Sequence, residues 1–176
     1  ERKYASALQD ANLTARALLD SQQNRSNDLA ERAKRHGLDL SEPVTLAVLD
    51  IDRPKKAYVL KRLEERLRSV PRLMTDIDGL IVALINTSDV ERTRETLERT
   101  VFSEGQADGV ACVCHPVSAR DLPGAFASAR RVDELLRRLN RTRRVVYEPE
   151  VATYAVLFQN RSADELWRMI DSLVGP

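Results

Sequence analysis

Residues 44–52 read Val-Thr-Leu-Ala-Val-Leu-Asp-Ile-Asp, an aliphatic and β-branched run that ends in two aspartates and is bounded by Pro43 and Pro54. An apolar run of this length between turn residues reads as a buried central strand. The aspartates then fall at the strand's C-terminal end, where open α/β sheets place their ligands. Asp50 and Asp52 are therefore the first candidates for a site, and the two-residue strand period sends both side chains to one face.

Downstream, residues 55–70 have the pattern of an amphipathic helix, with Tyr58, Val59, Leu63, Leu67 and Val70 inward and Pro71 at its end. Two short strands, 72–75 and 80–85, are joined by Asp76-Ile77-Asp78-Gly79; Asp-Gly between apolar runs predicts a tight hairpin. A helix is expected over 90–102, with Asp89 and Glu91 at its positive end and Val90, Leu97 and Val101 inward. Residues 105–109 form a loop, and 110–115 (Val-Ala-Cys-Val-Cys-His) another buried strand. Ser118 and Asp121 have capping-box spacing and open a helix to residue 139. A last strand at 145–147 precedes helices at 152–158 and 163–173, the second with Ser162 as N-cap.

Upstream, residues 1–23 are Ala- and Leu-rich and carry Tyr4, Leu8, Ala11, Ala15, Leu18 and Leu19 as one helical stripe. So thin a stripe needs a partner surface, either its own domain or the same helix of a second subunit. A short helix over 28–36 ends at Gly37, a C′ glycine. The whole order is helices, then β-α-β-β-α-β-α-β, then helices. A β-α-β-β-α-β core with right-handed crossovers gives an antiparallel-centred sheet with helices on one face, the ferredoxin-like/nucleotide-cyclase topology of the α/β (α+β) class. We divide the chain into an N-terminal helical linker or dimerisation segment (1–41), the α/β domain (42–149) and C-terminal helices (150–176).

Charged residues make up 31% of the 176 and hydrophobic ones 43%, which places the chain among globular rather than disordered proteins. A net charge of +1 argues against a uniformly basic nucleic-acid binder. No apolar run approaches the ~20 residues needed to cross a bilayer, no signal peptide is evident, and two cysteines make no disulfide framework. A cytoplasmic location is the expectation. The first residue is Glu rather than Met, so the sequence reads as part of something longer.

Two segments resemble a known family. Thr-Leu-Ala-Val-Leu-Asp-Ile-Asp-Arg-Pro-Lys at 45–55 is similar to the first strand of GGDEF domains, which make cyclic di-GMP. Asp50, Ile51, Asp52 and Lys55 fit that pattern, whereas Pro54 stands in place of its Phe and Tyr58 in place of its nucleotide-binding Asn. The signature Gly-Gly-Asp/Glu-Glu-Phe hairpin falls at Asp76-Ile77-Asp78-Gly79-Leu80, without both glycines and without the glutamate. Those glycines let backbone approach the guanine nucleotide, and the acid joins the strand's Asp on Mg²⁺. The family's product-inhibition motif Arg-x-x-Asp is also missing before the hairpin; Arg130–Asp133 has that spacing on another element. Ser118-x-x-Asp121-Leu122-Pro123-x-Ala125-Phe126-x-x-Ala129-Arg130 resembles a helix entrance in the GGDEF-like domain of PucR/CdaR-type bacterial transcriptional regulators. The stretches 32–43 and 166–176 also resemble that group, so the likeness spans 28–176. It implies a non-catalytic regulatory and dimerisation domain that couples a sensory region to a DNA-binding helix-turn-helix outside this chain. A homodimer, a small-molecule effector, no membrane contact and no cofactor are expected.

Each candidate has two readings. Asp50, Asp52 and Asp78 bind a ligand, or they are a relic strand end and an ordinary tight turn, with Asp50 and Asp52 solvated or paired to Arg53 or Lys55. With Mg²⁺ they would make a divergent nucleotide cyclase; without chemistry, a small-molecule sensor. Cys112, Cys114 and His115 lack a second ligand pair and read as core, and His36 as a structural residue at a helix end. The arginines at 130, 131, 137, 138, 141, 143 and 144 make a solvated helix face or a phosphate contact. Tyr4, Leu8, Leu18, Leu19 and Trp167 are the dimer-interface candidates, Trp167 grouped with Leu166 and Ile170. No metal site is assigned.

Overall fold

The structure is a computed structural model that describes residues 1–157 and 162–174. Its strands are β1 Thr45–Ile51, β2 Arg72–Ile77, β3 Leu80–Ile85, β4 Gly109–Val113 and β5 Val145–Tyr147. They form one sheet in the order β2-β3-β1-β4-β5, which puts the run at 44–52 in the centre. β1 is antiparallel to both β3 and β4, β2 is antiparallel to β3, and β5 is parallel to β4. The described α-helices are α1 Arg2–Leu19, α2 Leu29–Arg35, α3 Lys56–Arg66, α4 Val90–Leu97, α5 Leu122–Arg138, α6 Glu148–Leu157 and α7 Ala163–Val174.

The β1-α3-β2-β3-α4-β4 core is present, and its two crossover helices share one face. They cover Ala47, Leu49, Ile51, Ile81, Ala83 and Ile85. The opposite face is closed as well, which corrects the expectation of helices on one face only. There α1, α2 and α5 cover Leu46, Val48, Val82, Leu84, Val110 and Cys112. The cause is in the strands: β1 and β3 are apolar at consecutive positions, so both faces need cover. The helices before residue 42 thus share the sheet's core, with Leu18 and Leu29 fully or almost fully buried.

Helix α1 divides along its length. Thr14, Ala15, Ala17, Leu18 and Leu19 are buried, while Tyr4 and Leu8 are 72% and 54% exposed. Leu18 and Leu19 are therefore core residues, not interface candidates. Trp167 is half-buried against the same core, with the Arg141 guanidinium 3.8 Å above its ring. The side chains of Leu166 and Ile170 and the expected helix end at Phe158 lie outside the described residues.

Several boundaries move. Tyr58 is 48% exposed rather than inward, because Val59 and Leu63, one turn apart, already fill the buried side of α3. That helix ends at Arg66, short of residue 70. Helix α4 passes at Leu97 into a π-helical stretch, Glu98–Glu104, that buries Val101 and Phe102. Ser118 Oγ bonds the Asp121 carboxylate instead of a helix amide, and a 3-10 turn precedes α5. Pro149 sits in the first turn of α6, where its missing N–H costs nothing. Gly37 has φ +92°, and Leu38 N donates to Ala33 O at 3.0 Å, so the glycine stop after α2 is as expected.

Candidate functional site

The end of β1 meets the β2–β3 turn because β1 and β3 are antiparallel, with Leu49 opposite Ile81. The turn is a two-residue hairpin: Ile77 pairs Leu80, and Asp78 and Gly79 have φ of +52° and +87°. Positive φ at both central residues is the type I′ geometry that Asp-Gly favours. On the other side, Asp50 lies opposite Val110 and Ile51 opposite Gly109 of β4. Gly109 has φ +140°, and a Cβ there would stand 2.1 Å from the Asp50 carbonyl oxygen, so only glycine lets β4 start this close.

Strand parity aims Asp50 at α5, continuing the face of Leu46 and Val48. Arg137 Nε donates to Asp50 Oδ2 at 2.7 Å, and its Nη2 to the Asp50 carbonyl at 3.0 Å. The Asp50 carboxylate in turn raises the Arg137 pKa. Asp52 does something else. Its Oδ1 accepts from the Asp108 amide at 2.7 Å and its own N–H donates to Asp108 O at 2.8 Å, which clamps the loop into β4. Among the described residues neither carboxylate pairs with Arg53 or Lys55; the partners come from far along the chain.

The turn is likewise tied down. Arg16 of α1 bonds Asp78 Oδ1 at 2.9 Å and holds that carboxyl below its ordinary value. Asn12, one turn earlier, donates to Thr75 Oγ1 at 3.1 Å and Asp76 O at 2.5 Å. Asp76 accepts from Gly79 N at 2.9 Å and lies 3.6 Å from Lys56 Nζ, which also donates to Gly79 O. Among the described residues no group of three or more His, Cys, Asp or Glu is placed to hold a metal ion.

Behind Asp50 lies Asp133 of α5. It is 3% exposed, and neither carboxylate oxygen has a hydrogen-bond partner. Burial pushes its pKa well above the ordinary carboxylate range. Asp133 lines a cavity of ≈ 460 Å³ together with Asp50, Asp78, Leu80, Arg130, Arg131 and Arg137. The sequence reading named Asp133 only as the end of an Arg-x-x-Asp spacing away from the hairpin. Its position four residues after the buried Ala129, within an apolar stripe, was the available signal.

GGDEF-like domains match the chain over residues 20–135. The chain belongs to this family. No curated protein and no solved structure matches it. The matched span of the GGDEF-like domain includes all of β1 to β4 and ends in α5 just past Asp133; most of α1, and β5, α6 and α7, lie outside it.

Other residues singled out in the sequence are placed elsewhere in the chain. Cys112 and Cys114 are buried free thiols under α5, their sulfurs 3.6 and 3.8 Å from the Ala129 and Ala125 carbonyls. His115 bonds Tyr147 OH at 2.9 Å on the rim of a second cavity, ≈ 800 Å³, at the opposite end of the sheet. His36 Nε2 meets Asp10 Oδ2 at 2.7 Å and ties α2 to α1. The arginines disperse: Arg137 to Asp50, Arg141 to Asp171, Arg143 to Phe102 O and Gln106. Among the described residues no helix is long and apolar enough to cross a membrane.

Proposed function

We propose that this GGDEF-like domain is a non-catalytic regulatory and dimerisation domain of a PucR/CdaR-type transcriptional regulator. It couples a sensory region to a DNA-binding module beyond this chain. The observation that supports this reading is the occupancy of the acids at the strand end by the chain's own donors. Arg137 holds Asp50, the Asp108 amide holds Asp52, Arg16 holds Asp78, and Lys56 with the Gly79 amide attends Asp76. A Mg²⁺ ion needs about six oxygen ligands in near-octahedral order. Here it would first have to displace a guanidinium bonded to the strand. The exposed Tyr4 and Leu8 on α1 favour self-association through that helix.

The test is calorimetric titration with Mg²⁺ and GTP, with Asp50→Ala as control, followed by a search for cyclic dinucleotide product. We expect no saturable heat and no product. Saturable heat that disappears in Asp50→Ala, or product formation, would overturn the non-catalytic reading. Sedimentation of wild type and Leu8→Glu then tests the dimer.

A further inference from the structure

Asp133 poses a problem that the regulatory reading does not solve. A buried carboxyl with no partner is unusual in a folded protein and asks for a cause. Cations stand one turn away on either side, yet neither reaches it. Arg137 is drawn off to Asp50, and Arg130 lies over the Phe126 ring at 5.6 Å. The Cys112 thiol points at Ala129 O.

Asp133 does, however, line a cavity of ≈ 460 Å³. Small-molecule sites measure about 300–1,000 Å³. Arg130 and Arg131 line the same cavity from the exposed side of α5. Neither forms an ion pair with a described residue. Arg130 stands three residues before Asp133, a spacing at which side chains of a helix are neighbours.

We propose that this cavity binds a small zwitterion, an amino acid or a close analogue, with its ammonium on Asp133 and its carboxylate on Arg130 and Arg131. The charge inventory selects this class. Asp50, Asp78 and Glu134 line it against three arginines, so it offers a polyanion such as a nucleotide no net positive charge, whereas a zwitterion leaves the balance unchanged. The buried acceptor takes the ligand's donors, and the exposed guanidiniums suit a carboxylate bidentately. The inference stands apart from the regulatory reading and would hold equally for a free-standing sensor.

The experiment is a thermal-shift screen of the wild-type chain against the proteinogenic amino acids, with ethylammonium and acetate as the separate charged halves. Hits are then titrated by calorimetry. We expect at least one amino acid to bind saturably and neither half to do so. Asp133→Asn, which keeps shape and cannot ionise, should weaken the hit at least tenfold. Arg131→Gln, on the exposed side of α5, should weaken it several-fold and serves as the reporter should the first variant fail to fold. Absence of any amino-acid hit, or a hit unchanged by Asp133→Asn and Arg131→Gln, overturns the proposal. So does a hit that inorganic phosphate displaces and acetate does not.

Discussion

Replacing Asp133 by leucine should stabilise the protein. The side chain is 3% exposed, and both of its oxygens lack partners. Leaving a buried polar group unsatisfied costs ~1–3 kcal/mol, and an apolar residue of similar shape removes that cost. For a domain of this size that corresponds to roughly 2–12 °C in Tm. A second contribution depends on pH. In the unfolded chain the carboxyl titrates near 3.8, whereas burial keeps its proton on to a much higher pH in the fold. Between those two values the native state binds a proton that the unfolded state has lost, so wild-type stability falls as pH rises, by about 1.4 kcal/mol per unit. Below the unfolded value this loss is absent. Asp133→Leu should therefore gain over wild type increasingly as pH rises, and Asp133→Asn should remove only the pH-dependent part. Urea denaturation of the three proteins at about pH 5 and pH 7 reads both quantities. A leucine variant less stable than wild type at neutral pH, or a gain that is equal at the two pH values, would refute the reasoning.

Gly109→Ala puts a Cβ 2.1 Å from Asp50 O and 2.7 Å from Ile51 Cα at φ +140°, so overpacking and backbone strain together should cost about 2–6 kcal/mol, seen as loss of cooperative unfolding or a large drop in denaturation midpoint. Leu18→Ala, at a fully buried site, should cost ~2–5 kcal/mol, whereas Leu8→Glu should leave monomer stability within about 0.5 kcal/mol while sedimentation shows a smaller species. His36→Ala should return the Asp10 carboxyl toward 3.8 by NMR titration, since the hydrogen bond to His36 is the main cause of its lowered pKa. The stabilisation from that lowered value is present above the unfolded pKa and is lost as pH falls through the folded one.

The sheet was legible because its signals are local. The run at 44–52 is long and apolar, and Asp-Gly sets the hairpin register by itself, so β1, β2, β3 and the turn fall where expected. Closure of the second face was implicit in the same runs, since neither 44–49 nor 80–85 alternates with polar residues. The site was less legible because its contacts span the chain. Asp50 and Arg137 lie 87 positions apart, Asp52 and the Asp108 amide 56, and Arg16 and Asp78 62. Type and spacing of residues place the acids at one end of the sheet but do not say which cation reaches them. The division of α1 was equally hidden, because its stripe is uniform and only its course along β2 decides which part is covered.

The clasp between α1 and the hairpin has a mechanical consequence. Asn12 and Arg16, one turn apart, grip the turn at Thr75, Asp76 and Asp78. Each residue along a helix turns it by about 100°, so a slip of one position swings both side chains off their holds together. The exposed forward half of α1 is therefore a shaft with a key at its base. Any rotation of α1 about its axis would load the β2–β3 turn first, because that is where the helix is keyed to the sheet.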